Sequence, residues 1–358
     1  MYTTLSLLAF GITILATMLV RRFAIRQGIV DDPSISARKI HKQATPLLGG
    51  LSIYLGLALT LLVALQFGYL EGSLIANKHV FGLLAGGLWL IIGGYLDDKY
   101  ILSPKQQILW PILAVLTVIA SGIGIESFSN PLGGQIFLDA YHFTVFSVND
   151  IPYKFTFPAD LFTFVWLMAI IYAAKFFDGL DGLVSGITVI GAFTVFFASL
   201  LPQINQPETA MISIIVAACF LGFLVFNFNP ASIFLGEGGS TLAGFLIGAL
   251  AIIAESKVAT TLVIMALPLL DLIWAVTRRV FIEKTSPTKA DKKHIHHRLL
   301  ESGLTHKAAV LLLYGWAIAL GLVAWLYQST EAGVMLFASV ALVLGFAFYL
   351  VYRVKKYA

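Results

Sequence analysis

Long apolar runs separated by short polar breaks dominate the chain. Each helical residue adds about 1.5 Å to a hydrocarbon layer of about 30 Å, so a crossing takes roughly 20 apolar residues, and about eleven runs meet or approach that length. They are Thr3–Val20, Leu47–Leu70, Val80–Leu96, Ile108–Ile125, Leu161–Phe177, Leu183–Leu201, Ala210–Phe226, Thr241–Ile253, Val258–Val276, Ala308–Tyr327 and Ala332–Tyr352. Thr241–Ile253 is short and is expected to begin inside the preceding break. The pattern predicts an all-α polytopic bundle forming a single domain over residues 1–358.

Two breaks are long enough to hold structure of their own. In Glu126–Asp160 the residues Tyr153-Lys-Phe-Thr-Phe157 alternate, and they follow Val145-Phe-Ser-Val148 and a turn-like Asn149-Asp150. Alternation around such a turn predicts a small β-hairpin on the outer surface. The break Thr277–Lys307 is basic and carries Ser286-Pro287 and four residues, His294-Ile-His-His297.

The charges orient the bundle. With the N-terminus outside, 20 of the 23 Lys and Arg fall on the cytoplasmic side, leaving Lys78, Lys154 and Lys257 outside. That asymmetry follows the positive-inside rule. Arg21-Arg22 directly follow the first run and no cation precedes it, so that run reads as a spanning helix rather than a cleaved signal. Only 12% of residues are charged and 59% are hydrophobic, which excludes an ordinary soluble domain. A net charge of +4 gives no case for nucleic-acid binding, and a lone Cys219 excludes a disulfide framework or thiolate metal site.

On this topology four polar clusters share the cytoplasmic face. Asp97-Asp98 end the third run, where the helix dipole favours cations instead. Asp178-Gly-Leu-Asp181-Gly182 joins two runs with hardly any loop, and Lys175 precedes it by one helical turn. Its glycines permit close approach of a ligand, although Asp-Gly also suits a plain tight turn. Gly236-Glu-Gly-Gly-Ser240 opens a helix, where free amides can cradle phosphate and Glu237 can offer an oxygen to Mg²⁺. His294 and His297 share a helical face beside Arg298 and Lys292-Lys293, which suits a diphosphate better than zinc. Asp271 is an intramembrane acid, open to a functional role or to a packing role.

With Val30-Asp-Asp-Pro33, Arg38-Lys-Ile-His41, Thr45-Pro46 and Gly49-Gly50, these clusters appear in the order found in one family. Over nearly its whole length the chain resembles the polyprenyl-phosphate N-acetylhexosamine-1-phosphate transferases (glycosyltransferase family 4 type). The His-Ile-His-His form is similar to the undecaprenyl-phosphate N-acetylglucosamine branch. The resemblance implies a bundle of ten or eleven spans in a bacterial inner membrane with a cytoplasmic active site. It implies transfer of a HexNAc-1-phosphate, here GlcNAc-1-phosphate, from a UDP-sugar to polyprenyl (undecaprenyl) phosphate with release of UMP. The product would be the first lipid-linked intermediate of a cell-envelope glycan. Mg²⁺ is the implied cofactor, with Mn²⁺ as a substitute, and a homodimer is compatible with the reading.

Carried over by position, Asp97, Asp98, Asp178 and Asp181 are the expected catalytic acids, with Glu237, Asp98 and Asp178 toward the metal. Lys42, Gly179, Leu180, Asp181, Asn227 and Phe234 match the uridine pocket, and His294, His296, His297 and Arg298 the diphosphate or sugar. Tyr172 and Lys175 stand where the family usually has Asn, and Glu237 where it has Asp. A protonated lysine cannot bind Mg²⁺, so Lys175 is expected to pair with Asp178 or to contact a substrate phosphate. The competing readings are a catalytically inactive homologue that binds nucleotide sugar or lipid phosphate, and a transporter. A transporter would place its ionisable groups near mid-membrane rather than at one face.

Overall fold

The structure is a computed structural model that describes residues 1–33, 44–70, 77–129, 135–148, 151–254, 265–286 and 294–326, with isolated positions near 341–349. Lys42 and nearly all of the run Ala332–Tyr352 lie outside the described residues. The apolar runs become helices α1 (Tyr2–Gln27), α2 (Gly49–Gln66), α3 (Asn77–Tyr100), α4 (Pro104–Gln107) and α5 (Leu109–Ala120). After the strands come α6 (Ala159–Phe177), α7 (Leu183–Ser199), α8 (Pro207–Asn227), α9 (Gly236–Ile253) and α10 (Ala266–Thr277). A short α11 (Ile295–Glu301) and the long α12 (His306–Leu326) complete the described helices.

Seven of these helices are long and apolar enough to cross a membrane, namely α1, α2, α3, α6, α8, α9 and α12. Pro104–Ala120 and Leu183–Ser199 are apolar but shorter. The chain is therefore a polytopic membrane protein, and the described helices support seven spans by length where the apolar runs suggest about eleven. The run Val258–Val276 resolves into the twelve-residue α10, its first part falling outside the described residues.

The bundle is built around α8 and α9, which are buried along most of their length, whereas α1 and α12 expose outward-facing Leu and Ile. Glycine makes the inner crossings close. A Cβ on Gly50 would collide with the backbone of Gly239, and one on Gly94 with that of Gly238. Small residues at such crossings let helix backbones approach without loss of packing. The glycine-rich run Gly236–Gly239 is thus the first turn of α9, with Gly238 packed against α3 and Gly239 against α2.

The β-hairpin forms as its alternation predicts. β5 (Tyr141–Val148) pairs antiparallel with β6 (Ile151–Phe157), with an irregularity between Thr144 and Phe146. Asp160 accepts the Thr156 N–H at 2.7 Å and ties the hairpin to the start of α6. Two smaller antiparallel pairs are also present: β1 (Val30–Asp31) with β2 (Thr45–Pro46), and β3 (Ser127–Ser129) with β4 (Gln135–Phe137). Hairpin and polar clusters lie at opposite ends of α6, since β6 precedes its first residue and Asp178 caps its last.

Candidate active site

Three chain segments converge at the end of the bundle marked by Asp178. The first is the tight connection from α6 to α7. The second is the turn from α8 to α9, which contains Asn227-Phe-Asn-Pro230 and lies against the segment that enters α2. There the Phe234 N–H donates to Pro46 O at 2.8 Å, the Gly49 N–H to Phe234 O at 3.0 Å and the Gly50 N–H to Leu235 O at 2.9 Å. The third is α11 with the beginning of α12. Between them opens a cavity of about 1110 Å³. Asp178, Gly179, Leu180 and Asp181 line it, as do Asn227, Phe234 and His297, all singled out from sequence.

Two polar side chains hold the α6–α7 connection to its neighbours. Asp181 Oδ2 accepts from Asn229 Nδ2 at 2.8 Å and from the Ala231 N–H at 3.1 Å. Its own N–H donates to His306 Nε2 at 2.8 Å. Asn227 Oδ1 accepts from the Gly182 N–H at 3.2 Å and from Ser185 Oγ at 2.7 Å, while its amide nitrogen donates to Ile233 O at 3.0 Å. Gly182 takes φ +81°, a conformation that favours glycine and lets α7 start at once. Asp181 and Asn227 therefore shape the cavity wall as well as facing it.

The second pole of the site is a chain of charged and polar side chains beside this wall. Lys175 Nζ lies 2.6 Å from Glu237 Oε1 and donates to Gln107 Oε1 at 3.0 Å. Gln107 Nε2 donates in turn to Asp97 Oδ1 at 2.9 Å, and the same oxygen accepts the Leu102 N–H at 2.9 Å. Asp98 Oδ1 accepts the Glu237 N–H at 3.1 Å. Asp98 Oδ2 is buried, lies on the side of Leu48 and sits where a Cβ on Gly236 would fall. Lys175 thus pairs with Glu237, and the bond found between residues 175 and 178 is the backbone one from the Asp178 N–H to Lys175 O. The reason is direction: Lys175 lies in the last turn of α6 and reaches sideways to α9, while Asp178 turns into the cavity.

Asp178 joins the two poles. Burial, followed by the neighbouring carboxylates of Asp181, Glu237 and Asp98, pushes its carboxyl up to about 8. Four acids so close together, with one ammonium among them, make a site that favours an added cation.

The histidines divide their positions. His297 lines the cavity. The ring of His296 lies against Gly179, where a Cβ would collide with it, and meets Phe177 edge-on at 6.0 Å. Burial and the nearby His297, His294 and His306 hold His296 well below the usual imidazole range, hence neutral. His294 is set back from the cavity: its Nδ1 is 2.7 Å from Asp271 Oδ2 and its ring stacks on Phe176 at 6.3 Å. Arg298 is half-buried on α11 and is not among the cavity-lining side chains.

The structure adds residues that the motifs did not bring forward. Arg21, Asp31, Asn229 and His306 line the cavity, and Gln107 bridges Asp97 to Lys175. Asp31 stood within Val30-Asp-Asp-Pro33 without a role of its own, Asn229 lies two residues after Asn227, and His306 is an isolated imidazole opening an apolar run. Gln107 carried no signal of its own.

With this geometry in view, the comparisons are specific. The profile of Glycosyl transferase family 4 matches residues 80–255. A "Probable undecaprenyl-phosphate N-acetylglucosaminyl 1-phosphate transferase" of Bacillus subtilis is 32% identical over 307 residues, covering 84% of this chain and 78% of the relative. A "Decaprenyl-phosphate N-acetylglucosaminephosphotransferase" of Mycolicibacterium smegmatis is 34% identical over 345 residues, covering 89% and 79%. An Escherichia coli "Undecaprenyl-phosphate alpha-N-acetylglucosaminyl 1-phosphate transferase" is 29% identical over 314 residues, covering 85% and 78%. The chain belongs to the polyprenyl-phosphate N-acetylhexosamine-1-phosphate transferases of glycosyl transferase family 4.

Proposed function

We propose that this protein transfers GlcNAc-1-phosphate from UDP-GlcNAc to a polyprenyl phosphate, undecaprenyl phosphate in a bacterial inner membrane, and releases UMP. The observation that carries the reading is the cavity wall formed by Asp178, Gly179, Leu180, Asp181, Asn227 and Phe234, next to the carboxylates of Asp98 and Glu237. The names of relatives aligned over more than three quarters of their length support the same reaction. In the reaction an oxygen of the lipid phosphate attacks the β-phosphorus, and the bond from that phosphorus to the bridging oxygen breaks. UMP leaves with the bridging oxygen, and a polyprenyl diphosphate sugar remains.

The chief obstacle is bringing two anions together, so the site must offset charge and fix geometry. The donor set fits Mg²⁺. Among the described residues no three His, Cys, Asp or Glu form a ready-made metal cage. Mg²⁺ typically takes one or two carboxylates and fills its other positions with substrate phosphates and water. Asp98, a buried carboxylate beside Glu237, and Asp178, raised to about 8 by burial and then by its neighbouring carboxylates, are the groups that would hold it. When bound, the metal would supply positive charge at the phosphates. Glu237 stands beside them with one oxygen occupied by Lys175. Asn227 and Phe234 would bound the nucleotide, and His297 would face the diphosphate.

The active site would face the cytoplasm, where nucleotide sugars are soluble, with the β5–β6 hairpin outside. Purified protein given UDP-GlcNAc, polyprenyl phosphate and Mg²⁺ is expected to release UMP only when all three are present. UMP release without the lipid would indicate a hydrolase, and no release under any of these conditions would remove the reading.

A further inference from the structure

Behind the cavity a buried polar cluster holds the histidine helix in place. Asp271 on α10, Arg279 and His294 are 3%, 2% and 6% exposed. A turn of π-helix, Arg278–Ile282, follows α10, and both Arg278 and Arg279 in it are buried. Asp271 uses both carboxylate oxygens on α11: Oδ1 accepts the Ile295 N–H at 3.0 Å and Oδ2 meets His294 Nδ1 at 2.7 Å. On the far side of the same ring, Arg279 Nη2 lies 3.3 Å from His294 Nε2.

These contacts fix the imidazole's state. A guanidinium can only donate, so Nε2 of His294 must accept from Arg279 and the ring proton resides on Nδ1, where it is given to Asp271. Both ring nitrogens of His294 are then occupied by protein, leaving neither for a substrate. The ring's remaining role is mechanical. It lies parallel to His296 at 5.7 Å, and His296 lies 4.4 Å from His297, the histidine that lines the cavity.

We infer that Asp271 is a positioning residue of the transferase, acting through His294 and the Ile295 amide to set where α11 presents His296 and His297 to the cavity. His294 therefore belongs to the support of the site and not to its substrate contacts. This inference rests on the transferase reading for its kinetic consequence but not for its chemistry.

The test has two arms. In protein carrying ¹⁵N-labelled histidine, His294, identified by the signals lost in His294→Gln, is expected in the Nδ1–H form. In Asp271→Asn the side-chain amide would donate to Nδ1 and drive the proton to Nε2, against Arg279. Turnover per folded molecule should then fall by about 10- to 100-fold, the usual loss when an outer support of an active group is changed. His294→Gln should lose a similar amount although it does not line the cavity, and it serves if Asp271→Asn does not fold. The double variant should be no worse than the poorer single, since both interrupt one connection. An Nε2–H tautomer in the unaltered protein, wild-type turnover in both single variants, or losses that multiply in the double would each overturn the inference. If the unaltered protein shows no turnover, the transferase reading fails and the tautomer alone decides whether Asp271 holds His294 as described.

Discussion

Replacing Asp178 by Asn is expected to lower turnover by about two or more orders of magnitude, the scale of losing one electrostatic or acid–base contribution. The same change should make the metal-free protein harder to unfold at neutral pH. Both effects come from crowding: Asp178 lines the cavity and is raised from 3.8 to about 8 by burial and by Asp181, Glu237 and Asp98. An unfolded Asp ionises near 4, whereas the folded one resists ionisation, so between these values the folded state binds more protons than the unfolded state. Stability conferred by the neighbours' packing is therefore eroded as pH rises from about 4 to about 8. At pH 7 the cost is on the order of a few kcal/mol, and an amide at this position does not incur it. Thermal unfolding of both proteins at pH 5 and pH 7 with a chelator checks this. The gain for Asp178→Asn should be larger at pH 7. An equal gain at both pH values would show that Asp178 is not the strained carboxylate.

Lys175 and Glu237 are expected to behave as one unit. Their 2.6 Å ion pair is largely buried, with side chains 16% and 17% exposed. Removing one partner of a buried pair typically costs about 3–5 kcal/mol because the other charge remains uncompensated. Lys175→Met leaves Glu237 facing Asp97, Asp98 and Asp178 without its cation, and it also removes the link to Gln107. This variant should lose stability in that range and most of its turnover. Adding Glu237→Gln should restore much of the stability but not the turnover, because the carboxylate beside the proposed metal is then gone. Denaturation midpoints and a Mg²⁺ titration across the two singles and the double check this. Additive stability losses would mean that the pair is incidental, and wild-type turnover in Lys175→Met would remove the lysine from the site.

The polytopic, helical character was legible in the sequence because burial in lipid leaves an unbroken apolar signature, but seven helices among the described residues are long and apolar enough to cross where the apolar runs suggest about eleven. The hairpin itself was legible because Tyr153–Phe157 alternate with a period of two. The Asp178–Asp181 run, which lines the cavity, stood out in the sequence because its acids and glycines are local. Choice of partner was not legible. From sequence Lys175 is expected to pair with Asp178 or to contact a substrate phosphate, and only the packing of α6 on α9 gives it to Glu237. The same holds for His306, 125 residues from the Asp181 amide it accepts. The close packing of Gly238 and Gly239 was not legible, because glycine serves both free amides and close helix contact and sequence does not distinguish the two uses. His294 shared a motif with His296 and His297, yet Asp271 and Arg279 hold it away from the cavity.

The central claim is that the sugar leaves its nucleotide together with the β-phosphate. UDP-GlcNAc carrying ³²P at the β-position, incubated with the purified protein, polyprenyl phosphate and Mg²⁺, tests it directly. The account predicts label in the lipid fraction in a one-to-one ratio with UMP formed, and almost none in either from Asp178→Asn. Label released as UDP, with unlabelled sugar on the lipid, would contradict it.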